Sequence, residues 1–298
     1  MHSLDGVLVI DKPAGPTSHD VVARARRALR EKRIGHTGTL DPMATGVLPL
    51  VIGRATRLAS LLSSTDKTYE AAVRLGSATD TYDAADRLAF GGAPPDAPAI
   101  DPEEIETALA RFRGTFPQMP PPFSAKKVGG VPAYKLARKQ QPTALTAVQV
   151  TVRELTLLAV DNGLVRLRVT GTAGFYVRSL AHDLGLALGC GAHLERLRRT
   201  RAGTFGLDRA VLLEDLDRRS DEVLARLIPM TDLLPDLPAA RLTARAAQRA
   251  SHGNSVSPED FVVMGTGPVV RLLDPGGGLL GIAEAGPDGL LRPTIVLV

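Results

Sequence analysis

Two alternating runs, residues 156–160 and 164–170, flank Asp161-Asn162-Gly163 in this 298-residue chain. Asn-Gly between such runs is a strong hairpin signal, because the favoured two-residue turn needs positive φ at both central positions. Part of the fold must therefore be antiparallel sheet. In the second arm Val165, Leu167 and Val169 point one way while Arg166 and Arg168 point the other, as a two-residue period demands. Residues 67–75 repeat the pattern, with Tyr69, Ala71, Val73 and Leu75 on one face and Glu70 and Arg74 on the other. Val148, Val150 and Val152 alternate likewise. Gly6-Val7-Leu8-Val9-Ile10 is apolar throughout and predicts a buried strand.

Helical spacing appears between these strands. Thr17 and Ser18 can cap a helix over about 20–32, with Val21, Val22, Ala25, Ala28 and Leu29 as its stripe. Its other face carries Arg24, Arg26, Arg27 and Arg30, which reads either as a solvated face or as a surface that tracks phosphates. Residues 55–62 also read as helix. Asp101-Pro102-Glu103-Glu104 is a second start signal, with a cap, an early proline and acids at the positive end of the dipole. Ile105, Leu109 and Phe112 follow at helical spacing before Gly114. A third helix opens at Phe175-Tyr176-Val177-Arg178, would bury Leu180, Ala181, Leu184 and Leu188, and ends at Gly189. Arg178 lies in its first turn, where the helix dipole disfavours a cation, and so points to a nearby anion.

The expected class is α/β of the α+β kind. Leu234-Pro235-Asp236-Leu237-Pro238 reads as a linker, dividing a unit at 1–232 from a smaller, mostly β unit at 237–298. The latter has a helix near 244–251 and strands near Val269, Leu280 and Ile295. Residues 118–141 have the composition of a basic loop with two aromatics, suited either to wrapping RNA or to a plain insertion.

Composition narrows the function. The single Cys190 rules out an intrachain disulfide and a thiolate zinc cluster. Asp5 and Asp11 surround the first apolar run where a secretory signal would be basic, and no apolar run approaches the ~18 residues of a membrane span. The expectation is a soluble, cytoplasmic, monomeric protein with no membrane partner. With 36 Lys and Arg against 32 Asp and Glu the net charge is +4, and 29 of the 36 are Arg, whose planar fork matches phosphate. A polyanionic partner fits this, though so modest a charge identifies none. No Gly-Lys dipeptide exists for a P-loop, Gly265-Thr266-Gly267 is followed by Val270 rather than a third glycine, and no His-Glu-x-x-His or Gly-x-Ser-x-Gly occurs. Cofactor, metal and nucleotide chemistry lose ground.

What remains is the stretch 35–49, Gly-His-Thr-Gly-Thr-Leu-Asp-Pro-Met-Ala-Thr-Gly-Val-Leu-Pro, with one carboxylate, Asp41, and no Lys or Arg. Its glycines let the backbone approach a ligand, and Pro42 pushes Asp41 toward an extended conformation. By itself an Asp-Pro pair is an ordinary surface turn, and Tyr69 on an apolar strand face is ordinary core.

Several separate motifs move that reading. Leu8-Val9-Ile10-Asp11-Lys12-Pro13-Ala14-Gly15-Pro16-Thr17-Ser18, the 35–49 loop, Lys67-Thr68-Tyr69, Pro121-Pro122-Phe123-Ser124-Ala125-Lys126, Gly174-Phe175-Tyr176-Val177-Arg178-Ser179 and Leu197-Arg198-Arg199-Thr200 occur in this order. Together they resemble the bacterial tRNA pseudouridine synthases of the TruB type, over nearly the full length. The resemblance implies the pseudouridine synthase fold, a central, mainly antiparallel mixed sheet flanked by helices, with a β-rich PUA-like RNA-binding domain after it. It implies isomerisation of uridine 55 in the T-loop of tRNA, without cofactor or metal. Asp41 maps to the catalytic carboxylate, Arg178 to the arginine that pairs with it, keeps it ionised and, since an aspartate ionises at little cost near neutral pH, mainly orients it, and Tyr69 to the tyrosine stacked on the target base. Leu197 maps to a further pocket wall, and His36 to a histidine filling the space left by the flipped nucleotide. Lys12 maps to a loop support or phosphate contact, and Lys126, Tyr176 and Arg198 to RNA-contacting positions. The 118–141 loop corresponds to an RNA-gripping thumb. Two departures stand out: the family usually has glycines near Tyr82 and Asp86, and the loop at 89–100 is longer than the family's.

Overall fold

The computed structural model describes residues 4–85, 100–124, 126–128, 130–133, 136, 145–218 and 221–298. Asp86, nearly all of the 89–100 loop and much of the 118–141 loop therefore lie outside the described residues.

Three strands open the chain: β1 (Gly6–Lys12), β2 (Ile34–His36) and β3 (Thr45–Ile52). They are followed by β4 (Lys67–Leu75), β5 (Gly114–Gln118), and the short pair β6 (Lys127–Val128) and β7 (Val131–Pro132). Then come β8 (Val148–Asp161), β9 (Leu164–Gly171) and β10 (Ala192–Ala202), with the short β11 (Phe205–Gly206), β12 (Val211–Leu212) and β13 (Ile228–Pro229). Among the described residues, all but β6 and β7 of these form one sheet in the order β12-β1-β3-β10-β4-β9-β8-β5, with β2, β11 and β13 attached at its sides. Only β1–β12 and β3–β10 run parallel; the sheet is mixed and mainly antiparallel, as expected. A second, five-stranded sheet contains β14 (Ala239–Leu242), β15 (Phe261–Met264), β16 (Val269–Leu273), β17 (Leu279–Ala285) and β18 (Leu291–Val296), ordered β15-β14-β16-β17-β18.

The hairpin at 161–164 is present, with Asn162 at φ 47° and Gly163 at φ 70°. Its first arm is longer than the alternation indicated. β8 runs unbroken from Val148 to Asp161, and register shifts between Val152 and Glu154 and between Leu157 and Ala159 interrupt its two-residue period. Thr17 caps the first helix, Ser18–Leu29, with a full capping box: its hydroxyl accepts from the Asp20 amide at 3.1 Å, and its own amide donates to the Asp20 carboxylate at 2.8 Å. Arg30, at φ 53°, stops this helix before residue 32. Of its basic face, Arg24 is paired with Asp217, and Arg26 donates to the Ile34 carbonyl at 2.7 Å. Asp101 caps Pro102–Leu109, but a 3₁₀ turn at Ala110–Phe112 replaces the last helical turn, and Gly114 (φ 78°) begins β5. The third helix, Val177–Ala187, buries Leu180, Ala181 and Leu184, while Leu188 just beyond it is only half-buried.

β1 shows why the opening run is apolar throughout. Leu8 and Ile10 face a core with Val21, Val22, Ala25 and Leu29 of the first helix. Val7 and Val9 face the opposite way, into a core with Val51, Leu58 and Leu62 that also takes in Leu273, Leu279, Ile282 and Leu297 of the second sheet. The two sheets thus share one apolar core rather than meeting through the linker alone. Arg57 donates to the Val296 carbonyl across the same junction, and Arg271 Nε donates to the Leu237 carbonyl at 3.2 Å.

A shared core predicts shared unfolding. Ile282→Ala, at a side chain 1% exposed, should cost about 2–5 kcal/mol in urea unfolding and lower the midpoint of the whole molecule. An effect confined to a separate early transition would show that the two sheets unfold independently.

Candidate active site

The 37–44 loop joins β2 to β3 and hangs over the end of β10. It has no regular structure of its own, so its shape comes from what holds it. Ser18 Oγ receives the Leu40 amide at 2.9 Å and donates to the Leu40 carbonyl at 3.0 Å, fixing the residue before Asp41 to the first helix. Leu40 itself is 3% exposed and anchored in the core. Lys12, fully buried, donates from Nζ to the carbonyls of Pro13 (2.8 Å), Pro42 (3.2 Å) and Ala44 (2.8 Å). Arg199, 1% exposed, donates from Nε to the Val47 carbonyl at 2.7 Å and from Nη2 to the Gly38 carbonyl at 3.0 Å. Gly46, at φ 99°, is where β3 meets β10; a Cβ there would stand 2.1 Å from the Arg199 carbonyl oxygen. Only glycine permits that approach.

Asp41 and Arg178 meet at the floor of a pocket of about 270 Å³. The Arg178 Nε lies 2.9 Å from an Asp41 carboxylate oxygen. The guanidinium, 7% exposed, also reaches Asp83 at 3.5 Å and donates to the carbonyls of Thr81 at 3.1 Å and Phe123 at 2.9 Å. The anion inferred from this arginine's awkward place in its helix is thus a pair of carboxylates. Tyr69 and Leu197 form pocket wall from β4 and β10, and Tyr176, at the helix N-cap, closes another side. Gln118 clamps Tyr176 by its backbone, accepting from its amide at 2.8 Å and donating to its carbonyl at 3.0 Å.

The electrostatics amend one expectation. Asp41 was expected to ionise at little cost beside a cation. Burial instead pushes its carboxyl above the ordinary carboxylate value; Arg178 opposes this most strongly, Asp83 adds to the rise, and Lys12 opposes it. Lys12 is itself pushed down to about 8 by burial, and so is Lys67, which donates to the Ser63 and Thr65 carbonyls at 2.5 Å from the pocket's edge. Burial also raises the Tyr176 phenol.

The structure gathers Asp41, Arg178, Tyr69, Leu197 and Tyr176 around one pocket and leaves the other expected residues outside its lining. Lys12 sits behind the loop, out of solvent, in the position of a support rather than a phosphate contact. His36 lies on β2, edge-on to His19 with ring centroids 5.5 Å apart. Among the described residues its buried Nδ1 has no partner, and burial lowers its pKa, which favours the neutral ring. Arg198 points to the opposite face of β10 from Leu197 and Arg199, as strand alternation requires, and pairs with Asp11 at 2.7 Å. Lys126 donates to the Thr146 carbonyl at 2.9 Å. Residues not singled out in the sequence also enter the site. Asp83 is one of three acids within 80–86, with nothing to distinguish it until the chain brings it to Arg178. Arg199 stood among a basic cluster but is internal. Gln118 carried no signal.

The turn holding Asp83 bears on one of the two departures. Tyr82 adopts φ 63°. That left-handed conformation costs a side-chain-bearing residue roughly 1–2 kcal/mol. The Tyr82 ring stacks on His182 with centroids 3.8 Å apart and planes 9° from parallel. Among the described residues no group of three or more His, Cys, Asp or Glu converges to hold a metal ion, and no helix is long and apolar enough to cross a membrane.

Comparison with known proteins places the chain in a family. Residues 26–177 match the N-terminal domain model of the TruB family pseudouridylate synthases, 178–234 the tRNA pseudouridylate synthase B C-terminal domain, and 238–297 the C-terminal model of pseudouridine synthase II TruB. The chain is 45% identical over 299 residues to tRNA pseudouridine synthase B of Solibacter usitatus, covering 99% of this chain and 100% of that protein. It is 43% identical to the protein of the same name from Cupriavidus metallidurans, over 97% of this chain and 92% of the other. Among solved structures, a Cbf5-Nop10-Gar1 complex matches with TM-score 0.79 and 27% identity, covering 100% of this chain and 86% of that one. The chain therefore belongs to the TruB family of pseudouridylate synthases.

Proposed function

We propose that the chain is a tRNA pseudouridine synthase that isomerises uridine 55 of the T-loop, with Asp41 as the catalytic carboxylate. The observation that carries this reading is the Asp41–Arg178 pair at 2.9 Å on the floor of a nucleoside-sized pocket walled by Tyr69 and Leu197. Relatives at 43–45% identity are named tRNA pseudouridine synthase B, which supports pseudouridine formation in tRNA.

The chemistry needs little else. The bond between uracil N1 and the ribose anomeric carbon breaks, the uracil turns, carbon 5 bonds to the anomeric carbon, and the carbon 5 proton leaves while N1 gains one. Atoms balance within the nucleotide, so the reaction consumes no co-reactant. Asp41 acts on this sequence by attack at uracil carbon 6, by attack at the anomeric carbon, or by promoting a glycal route. Each needs the ionised carboxylate held in place, which is the role of Arg178. Tyr69 stacks on the base from the wall of the pocket. The target base must leave the T-loop stack to reach the pocket, and neutral His36 on the adjacent strand fills the space it vacates. Lys12 serves by holding the loop, Leu197 and Tyr176 line the pocket that takes the base, and Lys126 and Arg198 contact the RNA outside it. Residues 1–232 form the catalytic unit, 118–141 its thumb, and 237–298 a PUA-like unit that binds RNA.

Two outcomes test the proposal. Wild-type protein should release tritium from tRNA labelled at uracil carbon 5, and Asp41→Asn should bind tRNA with little change yet lose turnover. Absence of release with wild type would leave a tRNA-binding or RNA-folding protein instead. The pH profile tests the pair. Because burial raises the Asp41 carboxyl, the single-turnover rate should fall with acid above the usual carboxylate range. Arg178→Gln removes the main opposing charge and should move that fall to still higher pH. A fall left at the same pH would separate Arg178 from the ionisation of Asp41.

A further inference from the structure

Arg178 and His182 stand one helical turn apart on the same face of the Val177–Ala187 helix. The 79–85 turn is fastened to that face at both places. At the first, the Thr81 carbonyl and the Asp83 carboxylate meet the Arg178 guanidinium at 3.1 Å and 3.5 Å. At the second, the Tyr82 ring lies flat on His182 at 3.8 Å. The turn is otherwise braced within itself and against β10. The Thr81 hydroxyl donates to the Asp83 carboxylate at 2.8 Å, and the Leu194 amide to the Tyr82 carbonyl at 3.0 Å. Nothing in that bracing requires an aromatic at 82, and the φ of 63° argues against any side chain there. Among the described residues the buried His182 Nδ1 meets no hydrogen-bond partner. What the two side chains have in common is the stack.

We propose that Tyr82 is a positioning residue: its stack on His182 locks the left-handed turn onto the helix, so that Thr81 and Asp83 hold Arg178 in register for Asp41. The inference rests on the catalytic reading of Asp41 and Arg178 given above. Tyr82 is not among the residues that line the Asp41 pocket, so its effect there runs through Arg178. An aromatic stack supplies here, by a side chain, the turn stability that a glycine would supply through the backbone.

The experiment compares wild type with Tyr82→Gly, Tyr82→Phe, His182→Ala and His182→Phe. Thermal unfolding selects variants that fold, and full-length tRNA transcript is used for affinity and for single-turnover pseudouridine formation at saturating enzyme. Tyr82→Gly removes the strain together with the stack and is the variant best able to fold. Tyr82→Gly and His182→Ala should each slow single turnover about tenfold, a loss in keeping with a small displacement of the pair, with tRNA affinity unchanged. Tyr82→Phe and His182→Phe should stay within about twofold of wild type, since both keep two flat rings in contact. A wild-type rate in folded Tyr82→Gly would overturn the proposal, as would a loss seen only in affinity. The Nε–H resonance of Arg178, assigned by its disappearance in Arg178→Lys, decides the claim without activity. It should shift in Tyr82→Gly and not in Tyr82→Phe, and an unmoved resonance in Tyr82→Gly overturns the proposal even if the wild-type protein makes no pseudouridine.

Discussion

A single buried guanidinium ties the catalytic loop to two other segments of the chain. Arg178 draws one carboxylate from the 37–44 loop, a carboxylate and a carbonyl from the 79–85 turn, and a carbonyl from the segment after β5. The 37–44 loop is also held from behind, and the 79–85 turn is bonded to β10 on both sides of Asp83. A desolvated cation left without partners is very costly, and that cost ties these separately braced stretches to one another. The guanidinium suits the task because its planar fork can meet several acceptors in fixed directions; an ammonium in the same place would meet them as a point charge.

Behind the loop the logic is different. Lys12 and Arg199 are both buried, and the hydrogen bonds described for them end on carbonyl oxygens rather than carboxylates. Besides Pro13 next to Lys12, the carbonyls they engage, at 38, 42, 44 and 47, belong to the chain on either side of Asp41. Burial lowers Lys12 to about 8, with Asp41 opposing that shift and Arg199 adding to it. The loop gains rigidity and a positive background at the same time. That background helps offset the burial that makes the Asp41 carboxyl hard to ionise.

Periodicity carried the fold further than the site. Alternation in 67–75 and 164–170 and the Asn162-Gly163 turn were enough to place β4, β9 and their hairpin partner, because strand faces are written in a two-residue period. The length of β8 escaped because its register shifts break that period. The pocket was legible only in part, and for a physical reason. Arg178 betrayed itself by sitting where a helix dipole opposes it. Asp41 became a candidate through its glycine- and proline-rich setting, and its role through resemblance. Asp83, Arg199 and Gln118 gave no local sign, since what makes each of them matter is a partner 95, 152 or 58 residues away in sequence. Arg198 and Arg199 show the limit most plainly. They are adjacent and alike, and only strand alternation sends one to Asp11 at the surface and the other beneath the loop.

The core shared by the two sheets has a mechanical consequence. Val7 and Val9 on one side and Ile282 and Leu297 on the other are packed into the same apolar mass, so the smaller unit cannot swing on its linker as a tethered module would. The span from the Asp41 pocket to the second sheet is then a fixed gauge. An RNA that touches both must match that span by its own shape or bend until it does, which makes the fold of the substrate, as well as its bases, something the protein can measure.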